Sequence, residues 1–337
     1  TPFSRQGDGR AALGPVLREY LVSEAMHALS VPTTRSLAAV LTGEKVIRER
    51  PLPGAVLTRV ASSHLRIGSF EFFAARGEFD KVHRLADYAI ARHYPDLLHV
   101  EKPYLAFFKS VAHEQISLVA HWMSVGFIHG VMNTDNTTIS GQTIDYGPCA
   151  FMDAFNPATV FSSIDMQGRY AYGNQPSIIM WNLCRLAETL VPLIDNDENR
   201  AIELVNEEVK AFEGEFKSVW LNLMRHKIGL NKPENGDLEL IQGLLNAMQE
   251  GEADFTLTFR RLSQAARGES AGIRHLFNNP TLYDLWERDW RSRLGREITS
   301  SEERATKMDE VNPVYIPRNH KVEEALSMAV KDFSALL

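Results

Sequence analysis

The sequence predicts a predominantly α-helical α+β protein. Over most of the 337 residues, apolar side chains recur at spacings of three and four, which is the period of amphipathic helices. One stretch, 45–60, is instead rich in branched residues, which is typical of a β-hairpin. With 44% hydrophobic and 23% charged residues, the chain can bury a sizeable core in one large domain or two smaller ones.

The predicted elements follow in chain order. A first helix covers 9–29, and Glu19 lies off its apolar stripe. The hairpin at 45–60 turns over 51–54, Pro-Leu-Pro-Gly, and two short β runs over 137–145 flank a tight turn at Ser140-Gly141. Further helices are predicted at 78–93, 104–127, 178–194, 197–228, 238–248 and 322–336. The carboxy-terminal half is therefore expected to be a helical mass.

Charge and cysteine content argue against several classes of protein. A net charge of −7 provides no basic field to attract phosphates, so we expect neither a nucleic-acid partner nor a membrane surface. Cys149 and Cys184, the two cysteines, lie in apolar surroundings, which predicts no disulfide and no cysteine metal site. The apolar stretch 116–128 is shorter than the roughly 20 residues of a membrane span. No targeting segment is visible, and a cytoplasmic location fits these features.

The chemistry is concentrated between His129 and Pro148. A predicted helix ends near the start of this stretch, a loop carries Asp135 and Asn136, and Asp145-Tyr146-Gly147 follows the short β runs. Kinase-like enzymes use this order, in which the loop supplies a base and a metal-binding Asn, and an Asp-aromatic-Gly grips the metal on the triphosphate. Asn136 and Asp145 would supply the hard oxygen ligands that Mg²⁺ prefers.

The loop departs from the usual kinase-like pattern at Val131. Loops of the small-molecule type read His-Gly-Asp, followed five residues after the Asp by Asn, and Val131 occupies that Asp position here. The nearest carboxylate is Asp135, directly before Asn136. A carboxylate displaced by four residues would approach the nucleotide differently. The loop residues therefore argue against ordinary γ-phosphoryl transfer.

Each of these residues also has a structural interpretation. Asp135 and Asn136 could cap a turn, because Asn-Thr-Asp-Asn suits a loop. Arg59 and Arg66 could be solvated residues or ion-pair partners, and Glu19 could be an exposed helical carboxylate. For His129 we expect a structural role, in which hydrogen bonds orient the loop.

Four separated runs resemble the selenoprotein O (SelO/YdiU) family in the family's order. The first is 129–136, His-Gly-Val-Met-Asn-Thr-Asp-Asn, with Asp-Tyr-Gly-Pro at 145–148. The others are 4–10, Ser-Arg-Gln-Gly-Asp-Gly-Arg; 58–68, Thr-Arg-Val-Ala-Ser-Ser-His-Leu-Arg-Ile-Gly; and 312–320, Asn-Pro-Val-Tyr-Ile-Pro-Arg-Asn-His. The resemblance implies a protein-kinase-like fold that binds ATP turned around, so that the α-phosphate faces the acceptor. It thus implies AMP transfer from ATP to Ser, Thr or Tyr hydroxyls of proteins, with release of pyrophosphate.

The resemblance also implies a role for each matching residue. Asp135 would be the proton acceptor, and Asn136 and Asp145 would hold Mg²⁺ or Mn²⁺. Glu19 would pair with a strand lysine that these 337 residues do not contain. The nucleotide itself would contact Asp8, Gly9, Arg59, Arg66 and Asp145.

The family's glycine-rich nucleotide loop and its lysine would lie upstream of Thr1. We therefore expect a carboxy-terminal part of a family member, inactive by itself, with 1–75 a remnant of the kinase-like N-lobe, 76–195 the C-lobe and 196–337 a helical extension. The absence of Cys or selenocysteine in Ala335-Leu336-Leu337 predicts truncation there too. The order of motifs leaves two other functions open, a kinase-like phosphotransferase and a catalytically silent nucleotide-binding scaffold.

Overall fold

The computed structural model describes residues 7–269 and 271–331 and confirms the predominantly helical α+β class. Residues outside these ranges include the start of the 4–10 run and the predicted end of the last helix. The strands are β1 Ala11–Ala12, β2 Arg35–Ile47, β3 Pro51–Val60, β4 Phe127–Ile128 and β5 Ala150–Phe151. The helices are α1 Leu13–Ala28, α2 Ile67–Ala74, α3 Phe79–His93, α4 Pro103–Ser124, α5 Gln175–Ile194, α6 Glu198–Lys227, α7 Asp237–Glu250, α8 Phe255–Ala266, α9 Ala271–Arg274, α10 Pro280–Leu294, α11 Ser301–Val311 and α12 Asn319–Lys331.

The first sheet is antiparallel, in the order β1-β3-β2. Its inner face packs on α1 and α12 through a small core that includes Leu17, Ala55 and Leu326. Because β-strand side chains alternate between faces, the other face carries Val40 and Val56, which are more than half exposed. The sheet therefore packs against α1 and α12 with one face and exposes the other face to solvent.

The predicted turn of this hairpin is wrong. The chain reverses at 48–50, where the Arg48 N–H donates to Arg50 O at 3.2 Å, and the Pro-Leu-Pro-Gly run forms the start of β3. Prolines are tolerated there because, among the described residues, β1 pairs with β3 at Gly54 and Ala55 and the residues before them have only β2 as a neighbouring strand. The first strand of the hairpin also begins earlier than predicted, at Arg35.

The two predicted β runs over 137–145 do not pair with each other. Thr138 instead forms a bridge with Arg66, and Thr143 forms one with Thr33. The predicted turn does form between them, and the Thr138 hydroxyl closes it by donating to Gln142 O at 2.7 Å and accepting the Gln142 N–H at 3.0 Å. The Thr138 side chain closes the turn in place of backbone hydrogen bonds between two strands. The backbone of this segment therefore pairs with Arg66 and with Thr33 instead.

Two large apolar cores fill the helical body. The first surrounds α4 and α5 and extends into the amino-terminal half of α6 through Phe212. The second is formed by the later helices and contains the stacked pair Trp286 and Trp290, whose ring centroids are 5.3 Å apart. In the described residues, one helical segment, Tyr172–Ile194, is long and apolar enough to cross a membrane, but half of its apolar window is buried inside the protein. Such burial is typical of a core helix in a globular protein.

Candidate active site

Six of the eight predicted site residues line one cleft of about 420 Å³. It lies between α1, the end of β3, the start of α2 and the segment 131–145. The lining residues are Glu19, Arg59, Arg66, Val131, Asn133, Asp135, Asn136, Ile144 and Asp145. Carboxylates, amides and guanidinium groups from distant parts of the sequence thus face a common space.

Backbone hydrogen bonds join the start of α2 to the loop that carries Asp135. The Ile67 N–H donates to Thr137 O at 3.0 Å, and the Ile139 N–H donates to Leu65 O at 2.9 Å. Between these two bonds, Arg66 is held beside the short 3-10 helix Thr134–Asn136. The pairing explains why Arg66 and Asp135 share a cleft although 69 positions separate them in sequence.

Asn136 and Asp145 provide the oxygen donors that a hard cation requires. Asn136 Nδ2 donates to Val131 O at 3.0 Å, which leaves Oδ1 as the remaining polar atom of the amide. Among the described residues, no group of three or more His, Cys, Asp or Glu side chains could hold a metal ion. The pair therefore fits Mg²⁺ or Mn²⁺ that takes its other ligands from phosphate and water, as Mg²⁺ usually does.

Asp145 adopts an uncommon backbone conformation. Its φ is +69°, in the left-handed region that only Gly, Asn and Asp visit with any frequency. Such conformations cost about 1 kcal/mol or more and persist where the surroundings hold them. The strain therefore marks the position at which the chain directs this carboxylate into the cleft.

Glu19 and Arg59 form an ion pair inside the cleft. Arg59 Nη2 lies 2.5 Å from Glu19 Oε2, and their side chains are 21% and 16% exposed. Glu19 Oε1 also accepts the Tyr146 N–H at 2.9 Å. Burial raises the pKa of Glu19, while Arg59 and this hydrogen bond act against that rise. Glu19 is thus a partly buried, paired carboxylate rather than an exposed one, and its partner here is Arg59.

Arg66 has an unsatisfied donor. Its Nε is buried and has no hydrogen-bond partner within the part of the chain that the structure describes. A buried N–H without a partner costs about 1 to 3 kcal/mol, which an anion in the cleft could recover. This arrangement favours a phosphate-bearing ligand.

Asp8 and Gly9 lie outside this cleft. Gly9 lines a neighbouring cavity of about 580 Å³, which shares Glu19 with the cleft. Asp8 accepts hydrogen bonds from Arg48, which lower its pKa to about 2. Gly9 therefore lies next to the cleft, in a cavity that Glu19 also lines, whereas Asp8 lines neither cavity and pairs with Arg48.

His129 is buried beneath the loop. Its Nε2 lies 2.9 Å from Ile144 O, and burial lowers its pKa, which favours the neutral imidazole. The ring packs against Trp122 with a centroid distance of 5.2 Å. These contacts give His129 the orienting role that the sequence predicted.

Several polar residues that support the loop were not predicted from the sequence. Buried amide side chains bind its backbone and that of the preceding strand: Gln115 Nε2 donates to Thr138 O, Asn182 Nδ2 to Met132 O and Gln175 Nε2 to Phe127 O in β4. Asn182 occupies a position in the apolar stripe of α5, and a polar side chain in a buried stripe is the signal that could have revealed it. Asn133 also lines the cleft without having been singled out.

The fold and the cleft together define a class of protein. A mostly helical α+β body presents three carboxylates, two amides and two arginines at one cleft, and enzymes that transfer phosphate-containing groups use such side chains. Comparison with known proteins specifies the class further.

A family model described as "Protein adenylyltransferase SelO" matches residues 1–336. A "Protein nucleotidyltransferase YdiU" of Rhizobium etli is 59% identical over 338 residues, which cover 99% of this chain and 68% of the relative. One of the same name from Bradyrhizobium diazoefficiens is 60% identical over 333 residues, covering 98% of this chain and 68% of that protein. The chain belongs to the SelO family, whose members are named protein nucleotidyltransferases. The predicted resemblance is confirmed, and the expectation about the chain's ends stays a prediction.

Proposed function

We propose that this protein transfers AMP from ATP to Ser, Thr or Tyr hydroxyls of other proteins. The observation that carries the proposal is the cleft itself, where Asp135, Asn136 and Asp145 meet Arg59 and Arg66 in a member of a nucleotidyltransferase family. Val131 lines the same cleft at the position where kinase-like loops carry their base. An apolar side chain there cannot accept a proton, which argues against γ-phosphoryl transfer of the kinase type, and the family supports transfer of AMP.

In the proposed reaction, Asp135 accepts the proton of the acceptor hydroxyl. The hydroxyl oxygen attacks the α-phosphorus, a new phosphodiester bond forms, and the bond to the β-phosphate bridging oxygen breaks. Pyrophosphate leaves with the bonding electrons, and the protein carries AMP. Arg66, with its unsatisfied Nε, would stabilise the negative charge of the departing group.

Asn136 and Asp145 would hold Mg²⁺ or Mn²⁺. A cation bound there would neutralise charge on the phosphate oxygens. Glu19 orients the segment that carries Asp145, since it accepts the N–H of the next residue. Gly9, which lines the adjacent cavity, and Asp8 beside it would contact the remainder of the nucleotide.

The proposed organisation is a kinase-like one. Residues 1–75 would form the remnant of the N-lobe, 76–195 the C-lobe and 196–337 the helical extension. Because the family's lysine has no counterpart beside Glu19, where Arg59 is paired, we expect weak transfer from these 337 residues alone. A net charge of −7 argues against nucleic acid and membrane surfaces as partners, and free thiols fit the cytoplasm.

Labelled ATP tests the proposal. The full-length protein is incubated with Mg²⁺ or Mn²⁺ and a heat-inactivated cell lysate, whose own kinases no longer act, in parallel with α-labelled and γ-labelled ATP. Transfer of the α label alone to protein is the expected result. Transfer of the γ label alone would identify a phosphotransferase, and transfer of neither label a silent nucleotide-binding scaffold.

A further inference from the structure

Arg18 connects α1 to both the segment that carries Asp145 and the last described helix. It is 9% exposed and directly precedes Glu19. Its guanidinium donates to five acceptors: Tyr146 O at 3.1 Å, Gly147 O at 2.7 Å, Cys149 O, Asn319 Oδ1 at 3.0 Å and Glu323 Oε1 at 2.9 Å. One buried side chain therefore fixes three carbonyls that follow Asp145.

Consecutive residues of α1 hold the same residue of that segment. Glu19 accepts the Tyr146 N–H, and Arg18 donates to the Tyr146 carbonyl. Asp145 directly precedes this doubly held residue and has the left-handed φ of +69°. Because a strained conformation persists only where its surroundings impose it, these bonds are the restraint that aims the Asp145 carboxylate.

The position of Arg18 depends in turn on α12. Asn319 and Glu323 are four residues apart on α12 and thus lie on one face of it. Apolar contacts among Leu17, Val322 and Leu326 pack α12 against α1. A buried guanidinium requires acceptors for its N–H groups, and α12 supplies two of them, Asn319 and Glu323. With these two in place, Nε and Nη2 also donate to the carbonyls that follow Asp145.

We propose that Arg18 is a positioning residue for Asp145, oriented by Asn319 and Glu323, so that the docking of α12 sets the geometry of the metal-binding carboxylate. This inference rests on the proposed function, because it requires Asp145 to hold the cation. The alternative is that Arg18 only fastens α12 to the body of the protein. In that case its loss lowers stability and leaves the loop and the metal site as they are.

The test compares Arg18→Lys with Arg35→Lys. Arg35, on β2, makes two hydrogen bonds to Glu24, which lies on α1 as Arg18 does. Because the Arg35 side chain is not bonded to the 145–151 segment, it is a matched control. Two quantities are measured: amide hydrogen exchange across 145–151, and the Mn²⁺ affinity in the presence of a non-hydrolysable ATP analogue, followed by electron paramagnetic resonance. Neither requires turnover.

For Arg18→Lys we expect faster exchange in 145–151 and a Mn²⁺ affinity about 10-fold to 100-fold weaker, the usual cost of losing a supporting contact. Arg35→Lys should leave both at the wild-type values. A lower melting temperature for Arg18→Lys with unchanged exchange in 145–151 and unchanged Mn²⁺ affinity would overturn the inference.

A second variant covers the case in which Arg18→Lys does not fold. Asn319→Ala keeps Arg18 and removes one acceptor, and we expect about fivefold weaker Mn²⁺ affinity together with faster exchange in 145–151. Wild-type values for both would contradict the inference. Failure of the proposed function looks different, since Asp145→Asn would then bind Mn²⁺ as tightly as the wild type. In that case the amide hydrogen exchange of 145–151 alone, without the Mn²⁺ affinity, would show whether Arg18 positions this segment.

Discussion

Gly68 lies directly against the carboxylate of Asp135. A Cβ built on Gly68 would collide with Asp135 Oδ1 and would lie 3.2 Å from its carboxyl carbon. Gly68 is the second residue of α2, so the carboxylate sits at the amino-terminal end of that helix. The helix terminus carries partial positive charge, which suits an anionic side chain at this point. The absence of a side chain at position 68 thus makes room for the proposed base.

Gly68→Ala is expected to reduce AMP transfer strongly while nucleotide affinity stays near the wild-type value, because the added methyl group displaces Asp135 and not the phosphate-binding side chains. Kinetics with α-labelled ATP and calorimetric titration measure the two quantities. Gly214→Ala is the control, since nothing lies within 4 Å of its Cβ position in the middle of α6. It should keep full activity and gain about 1 kcal/mol of stability from helix propensity. Full activity in Gly68→Ala would remove Asp135 from the mechanism or show that it moves freely.

Arg66→Gln and Arg66→Lys test the unsatisfied donor. Because lysine cannot reproduce the planar guanidinium, both variants should bind ATP about tenfold more weakly or worse, as expected for loss of a hydrogen bond to a charged group. Calorimetric titration of ATP with Mg²⁺ measures this. Arg76→Lys is the control, because Arg76 stacks on Phe72 away from the cleft. Wild-type affinity in Arg66→Lys would mean that only the charge of Arg66 matters.

Lys227 predicts a dependence of stability on alkaline pH. It is buried near Phe255 and Phe259, and burial lowers its pKa from 10.5 to about 7. Between these two pH values the unfolded chain binds more protons than the folded protein, so stability rises with pH. Relative to Lys227→Met, the wild type should therefore gain stability from pH 7 to pH 10, by at most about 4 kcal/mol.

Urea unfolding of both proteins at several pH values measures this gain. Lys109→Met is the control, because Lys109 is half exposed and paired with Glu208. Its difference from the wild type should change much less over the same range. A constant difference between the wild type and Lys227→Met would mean that Lys227 titrates at an ordinary pKa.

The sequence predicted those parts of the fold that depend on local pattern. Long amphipathic helices such as α3 and α6 were predicted to within one residue of their observed ends, because their periodicity extends over many turns. The helix α2 was missed, since eight residues are too few for a clear period. The longer helices α8, α10 and α11 were also not predicted one by one, and only the general expectation of a helical carboxy-terminal half covered them. The turn of the first hairpin was wrong because the prolines that suggest a turn also fit a strand with one neighbour.

The site was predictable where its residues share a motif. Asp135, Asn136 and Asp145 lie within 11 residues of each other, and their order indicated the chemistry. Arg18 was not predictable, because its acceptors lie 128 to 305 residues further along the chain. The Glu19 to Arg59 pair was likewise left open, since only the folded sheet brings β3 to α1. Contacts between distant segments require the tertiary structure.

Transfer of label from α-labelled ATP by Asp145→Ala tests the central claim most directly. The full-length wild type, Asp145→Ala and Asp153→Ala are compared at equal concentration with Mg²⁺ or Mn²⁺. Asp153 is a suitable control because it is a nearby carboxylate that pairs with Arg318 and does not line the cleft. We expect label on protein with the wild type and Asp153→Ala, and only background with Asp145→Ala. Undiminished transfer by Asp145→Ala would contradict the proposed site.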